Sequence, residues 1–205
     1  MSRLTLSSLF LVGCSAAFGQ SFEGSVNVGE SLQSNATLGQ LASDLGTSKY
    51  SLNNGFNMSF RITLNTWKFF GHEVGYSYNR THLNLSSFDP TGASQGTQDQ
   101  GGMAIHQGFY DFLGYAMPEG SHIRTFGAVG IHYGNYVPPG ASASYGQGFN
   151  KFGINYGGGV KIRVKGPLGV RFDVHQYTNG KPFGLTGASG WIRETTISAG
   201  VAWML

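Results

Sequence analysis

Apolar and small or polar residues alternate one for one along the closing segment of this chain, and few folds accept such a strand. Ile197, Ala199, Val201, Trp203 and Leu205 share one parity, while Glu194, Thr196, Ser198, Gly200, Ala202 and Met204 share the other. Successive side chains of a β-strand point to opposite faces, so the pattern describes a strand with one wholly apolar face. A soluble domain seldom ends on such a strand, because an unprotected apolar edge invites pairing with other chains. A closed transmembrane barrel removes both difficulties: lipid covers the apolar face, and the first strand pairs the edge.

The same period of two recurs upstream. In Gly55–Asn65, Phe56, Met58, Phe60, Ile62 and Leu64 oppose Asn57, Ser59, Arg61 and Thr63. In Gly71–Leu85, Val74, Tyr76 and Tyr78 oppose Glu73, Gly75, Ser77 and Asn79. Met103–Met117 is rich in aromatics and its facing is ambiguous; an acid on the lipid side is costly, so Asp111 is oriented inward. Ile123–Tyr136 places Val129, Ile131 and Tyr133 outward. Phe152–Val164 and Leu168–Tyr177 alternate in the same way, with Asn155, Lys161, Arg163, Arg171, Asp173 and His175 on the polar parity. With Trp191–Leu205 and a weaker first strand around Ser25–Leu32, about eight strands are expected.

The connections alternate in length. Thr66–Phe69, Pro118–Ser121 and Lys165–Pro167 read as tight turns, whereas Gln33–Leu52, Ser86–Gly101, Val137–Gly148 and Thr178–Gly190 read as long polar loops. Short turns on one rim and long loops on the other describe an outer-membrane barrel, facing periplasm and exterior respectively. Trp191 and Trp203 would stand ~30 Å apart along a barrel axis, at ~3.3 Å per residue and a tilt near ~40°, which suits two aromatic girdles. The expected fold is all-β: an eight-stranded antiparallel up-and-down transmembrane β-barrel.

A soluble eight-stranded barrel of the lipocalin kind shows the same alternation with its faces exchanged. Charge separates the two. Charged residues make up 11% of the chain, against about 25% in an average soluble domain. No apolar run after Val12 approaches the ~20 residues of a membrane helix. The formal charge is only +3 with scattered Lys and Arg, so nucleic acid is not an expected partner.

Arg3, the apolar stretch Leu4–Val12 and the small–x–small run Ala17-Phe18-Gly19 read as a secretory signal peptide. Residues 1–19 are therefore expected to be removed, and residues 20–205 to form one barrel domain. Leu11-Val12-Gly13-Cys14 offers a competing lipobox reading, in which Cys14 becomes lipidated. Cleavage after Gly19 leaves a mature chain without cysteine, hence without disulfides.

The spacing Ser198, Gly200, Trp203, Leu205 resembles the C-terminal insertion signal of bacterial outer-membrane barrels, which implies recognition by the barrel-assembly machinery. The mature chain as a whole resembles the small OmpA/OmpX-type barrels, and especially the outer membrane protein β-barrel domain group. The closest likeness lies in Phe152–Lys161, glycine-rich and then basic, followed by Gly169–Tyr177. There the family pattern continues into Arg–Asp, where this chain carries His175-Gln176, which bears on one lumenal ion pair. The resemblance implies export to the outer membrane, outer-membrane lipid as surroundings and a monomeric state; it specifies a fold better than an activity.

Charges on the inward faces of a narrow barrel have to pair. Arg61, Glu73, Asp111, Lys161, Arg163, Arg171, Asp173 and Glu194 are accordingly expected to form a structural ion-pair network in the lumen, with Arg124 near a turn. An eight-stranded lumen is just wide enough to be filled by side chains, which weighs against a narrow pore. Gly157-Gly158-Gly159 is followed by no helix start, so a phosphate loop is set aside in favour of relief of crowding. His72, His82, His106, His122, His132 and His175 show no metal-ligand spacing, and neither metal nor cofactor is expected. Asn79-Arg-Thr81 and Asn84-Leu-Ser86 match glycosylation acceptors by coincidence.

One enzymatic alternative remains: His175-Gln-Tyr-Thr178-Asn179-Gly180 resembles the His–x–Ser–Asn motif of lipid A deacylases, with Thr178 in place of Ser and Glu194 as the implied acid. Thr178 lies three residues from His175 and so on the opposite face, which breaks the nucleophile–base contact. The expected function is that of a non-enzymatic barrel with a structural or adhesin-like role, carried by loops containing Tyr136, Pro138, Pro139 and Tyr145.

Overall fold

The computed structural model describes residues 21–34, 37–185 and 189–205. The signal peptide, its cleavage point and Cys14 lie outside the described residues. Ten strands follow one another: β1 (Ser21–Ser34), β2 (Thr37–Ser43), β3 (Gly46–Leu52), β4 (Gly55–Trp67), β5 (Phe70–Phe88), β6 (Ser94–Tyr115), β7 (Ile123–Val137), β8 (Phe149–Lys165), β9 (Leu168–Gly180) and β10 (Trp191–Met204). A 3₁₀ turn, Ala143–Tyr145, interrupts the connection from β7 to β8.

All pairings are antiparallel, and eight of the strands close a ring. Its order is β5-β4-β1-β10-β9-β8-β7-β6, with β6 returning to β5. β10 zips onto β1 from Met204↔Glu23 to Arg193↔Ser34, so the last strand closes on the first. Closure leaves the ring without an open edge, which a strand with a lipid-facing side requires.

The remaining two strands revise the expected count. Gln33–Leu52, read as a loop, contains the hairpin β2–β3, and β3 continues the sheet beside β5 from Thr47↔Phe88 to Leu52↔Leu83. Most of Ser86–Gly101, also read as a loop, extends β5 and β6 as far as Phe88↔Ser94. β6 stops pairing with β7 at Ala104↔Val137, so β2, β3, β5 and β6 carry a four-stranded sheet beyond the ring. Apart from Leu38 and Leu52, which pack into one apolar cluster with Tyr50 and Leu83 against them, these segments are largely polar, so no sustained alternation announces them. Cross-strand polar pairs mark them instead, such as Ser86 Oγ to Thr97 Oγ1 at 2.9 Å and His82 Nδ1 to Asp99 Oδ2 at 2.8 Å.

The two ends of the ring differ. β4–β5, β6–β7 and β8–β9 turn within a few residues, the last through Gly166 at φ 56°. The opposite end carries the projecting sheet and the connections β7–β8 and β9–β10. Val129, Ile131, Phe152 and Val201 are exposed on the outer wall, while Asn57, Arg61, Glu73, Asn155 and Glu194 are buried in the lumen. β6 resolves the ambiguous facing: Asp111 points inward, accompanied by Met103, Ile105, Leu113 and Tyr115. Its inner face is thus as apolar as its outer one.

Candidate functional site

The lumen is the concave region of the fold, and its side chains fall into layers. Nearest the short-turn end, Glu23 of β1 binds Lys161 Nζ and lies 3.7 Å from Arg124 Nη1. Asn65 Nδ2 donates to Glu23 at 2.8 Å, and Lys161 Nζ donates to the Tyr115 hydroxyl at 3.0 Å. The Arg124 guanidinium lies 3.5 Å from the centroid of the Tyr115 ring, close enough for a cation–π contact.

The next layer is a balanced quartet. Glu73 accepts from Arg61 Nη1 at 2.8 Å, and from Arg171 Nη1 at 2.5 Å and Nη2 at 3.0 Å. Thr63 Oγ1 donates to the same carboxylate at 2.7 Å. Arg171 Nε then reaches both oxygens of Asp173, at 2.8 and 3.0 Å. Two guanidiniums meet two carboxylates, and planar bidentate geometry holds them in place. Phe109 lies 4.6 Å beneath the Arg61 guanidinium and Phe126 lies 4.8 Å beneath that of Arg171.

Beyond the quartet, Asp111, Glu194, His132 and His175 form no ion pair with Lys or Arg among the described residues. Asp111 accepts from Asn155 Nδ2 and has His175 Nδ1 at 3.8 Å. Glu194 accepts from Gln107 Nε2 at 3.2 Å. His132 Nε2 and the Tyr136 hydroxyl both contact Asn179 Oδ1, at 3.1 and 2.9 Å. Over this layer Leu38, Leu52, Met103, Ile105, Tyr136 and Ile192 pack together, with Phe183 and Leu185 against them, and apolar side chains fill the mouth.

Placement of the expected residues therefore needs correction. Arg61, Glu73, Arg171 and Asp173 come together, and Lys161 pairs in the layer below. Asp111, Glu194 and Arg163 form no pair with an opposite Arg, Lys, Asp or Glu among the described residues. Register explains Glu194, which stands level with Tyr177, whereas the cations stand below Asp173, which faces Ser198. Asp111 instead faces Glu73 across the β5–β6 ladder, and the Glu73 carboxylate takes both Arg61 and Arg171. Arg163 is half-buried at the short-turn rim, where its backbone N–H donates to His122 O at 2.8 Å. Glu23 was not anticipated, although it shares the parity of Ser25 and Asn27. Arg124, read only as close to a turn, belongs to the lower layer.

The C-terminal residues divide between the two faces. Trp203 and Leu205 are exposed on the outer wall, while Ser198 is buried and Gly200 faces inward. A side chain at Gly200 would collide with Val26 O and Asn27 of the adjoining β1. Trp191 and Trp203 occupy opposite ends of β10, both exposed. The enzymatic constellation is not assembled: His175 is fully buried in the lumen, and Thr178 has the outward parity. Among the described residues no group of three or more His, Cys, Asp or Glu is arranged to hold a metal ion.

Comparison with known proteins agrees with this architecture. The family model described as "Outer membrane protein beta-barrel domain" matches residues 5–204. The fold is similar to that of the outer membrane protein OprG from Pseudomonas aeruginosa, with a TM-score of 0.60 at 10% identity, covering 91% of this chain and 95% of that one. It is also similar to Neisserial surface protein A, with a TM-score of 0.51 at 11% identity, covering 90% of this chain and 96% of that one. Curated proteins include no significant match. With a family match over nearly its whole length, a closed antiparallel ring and an apolar outer wall, the chain belongs to the outer membrane protein β-barrel domain family and resides in the bacterial outer membrane.

Proposed function

We propose that this protein is a monomeric, non-enzymatic barrel whose eight ring strands cross the outer membrane and whose projecting sheet engages a partner outside the cell. The short turns then face the periplasm, and the long-loop end faces the exterior. The observation that carries this reading is the length of the β5–β6 ladder, which continues to Phe88↔Ser94 after β6 has parted from β7 at Ala104↔Val137. A barrel that only had to span lipid has no use for a four-stranded platform in water. Conserving a lumen for solute passage is equally unsupported, because ion pairs and the apolar cluster fill it. Enzymatic use of His175 is disfavoured by its enclosure away from Thr178.

The reading also assigns Ser198, Gly200, Trp203 and Leu205 to recognition by the barrel-assembly machinery, and outer-membrane lipid to the apolar wall. The test replaces Ser86–Gly101 by a two-residue Asn-Gly turn and compares binding to arrays of matrix proteins and glycans, using both forms in lipid nanodiscs. The full protein should bind a member of the array, and the trimmed form should lose that binding while keeping the heat-dependent gel mobility of a folded barrel. Equal binding by the trimmed form, or none by the full protein, would count against the platform.

A further inference from the structure

We infer that the outer wall carries a binding groove for the phosphate of an outer-leaflet lipid headgroup, built on Arg80 and His106. The groove has a volume of about 380 Å³; Tyr78, Arg80, Gly102 and His106 lie on its β5–β6 side, and the segment Pro138–Ala143 folds over it. Arg80 is exposed on the outer parity of β5, and its side chain makes no hydrogen bond or ion pair among the described residues. Its guanidinium lies against Gly102, where even a methyl group would strike it. His106 keeps Nδ1 occupied by the Tyr76 hydroxyl at 2.5 Å, Nε2 has no hydrogen-bond partner among the described residues, and Tyr78 packs edge-on against the imidazole at 5.3 Å. Among the described residues no Asp or Glu lines the groove.

Height selects the ligand. From Phe70 at the short-turn end, β5 climbs ~25 Å to Arg80 at ~3.3 Å per residue and a tilt near ~40°, which matches the ~25 Å height of an outer-membrane apolar band. An outward arginine is costly at the bilayer midplane and nearly free at the interface. Arg80 thus stands where headgroups lie, with a planar donor fork suited to phosphate oxygens. Below it on the same strand, Tyr76 and Val74 are exposed, so the anion that reaches Arg80 has acyl chains to lay along them. A soluble anion would leave that wall uncovered. The placement rests on the orientation proposed above.

The experiment titrates detergent-released protein with bis-phosphorylated lipid A, with dephosphorylated lipid A and with inorganic phosphate, reading complexes by native mass spectrometry. The unaltered protein should prefer the phosphorylated lipid by about tenfold, the size expected of one lost charge-assisted contact. Arg80→Gln should remove that preference, while Lys49→Gln, which changes a cation on the projecting sheet, should leave it intact; both variants must show the gel mobility of a folded barrel. Retention of the preference by Arg80→Gln, equal binding of dephosphorylated lipid, or displacement by inorganic phosphate at equal concentration would overturn the site. Orientation is checked separately by labelling Tyr145→Cys on intact cells with an impermeant maleimide. Absence of labelling would overturn the proposed topology without touching the lipid preference measured in detergent.

Discussion

Glu73 and Arg171 meet across the lumen although β4, β1 and β10 separate their strands around the ring, and their two hydrogen bonds measure 2.5 and 3.0 Å. The pair therefore ties opposite walls together. Removing one member of a buried ion pair costs about 3–5 kcal/mol, because the other charge is left without compensation. Glu73→Gln leaves Arg61 and Arg171 sharing Asp173, and should lower the unfolding free energy by about that amount. Adding Arg61→Met restores one cation to one anion and should recover part of the loss. Urea unfolding in lipid vesicles, read by gel mobility, measures both; a loss below about 1 kcal/mol for the single variant would mean that the quartet is not structural.

Gly130 gives room to the Asp111 layer. A methyl group there would run into Tyr110 O, fixed in the β6–β7 ladder, and the Asp111 carboxylate, held by Asn155, whereas one at Gly108 meets nothing within 4 Å. Gly130→Ala should destabilise the barrel by about 1–3 kcal/mol, the usual cost of overpacking, and Gly108→Ala should be close to neutral. Equal effects of the two substitutions in the same urea assay would remove the packing explanation.

The outer wall and the lining of the lumen were legible from parity, but the pairings inside the lumen were not, for a physical reason. Lipid imposes one requirement on every outward position, so Phe60, Val129 and Val201 declare themselves by parity alone. Inside, a residue's partner depends on how strands stagger around the ring. Nothing in the local spacing of Glu73 indicates Arg171, or shows that Glu194 rises above the level of any cation. β6 was ambiguous because Met103, Ile105 and Leu113 make its lumenal face apolar too. The water-exposed strands escaped notice because Thr47, Ser48, Ser86 and Thr97 carry no contrast between faces.

The tip of the projecting sheet should respond to acid. Asp89 accepts from the Thr91 hydroxyl at 2.6 Å, then from the Ala93 and Thr91 backbone N–H groups, both at 2.9 Å; these bonds, the Thr91 hydroxyl foremost, hold its carboxyl below its ordinary value of 3.8. A depressed folded pKa means that the stabilisation is fully present above the unfolded value and disappears as pH falls through the folded one. The amides of Thr91 and Ala93 should keep their protection from hydrogen exchange at pH 5 and lose it only below about pH 4. Asp89→Asn should weaken protection at neutral pH as well. A protection midpoint at or above the ordinary carboxylate value would contradict the turn geometry.

Deleting Trp203-Met204-Leu205 should separate insertion from folding. The deletion removes the pairs Trp203↔Gly24 and Met204↔Glu23 and the hydrogen bond from Leu205 N–H to Phe22 O, but the β1–β10 ladder from Ser25↔Ala202 to Ser34↔Arg193 remains. Ring closure therefore survives in most of its length, and refolding from urea into detergent should still give the mobility of a closed barrel. In cells the outcome should differ, because Trp203 and Leu205 present an aromatic and an apolar side chain on the outer wall, available to the assembly machinery before the ring closes. Outer-membrane recovery should fall sharply for the deletion and for Trp203→Ala, with refolding in detergent retained. Normal recovery in cells would remove the recognition role, and failure in both settings would make these residues structural, because closure would then depend on the last pairs of the ladder.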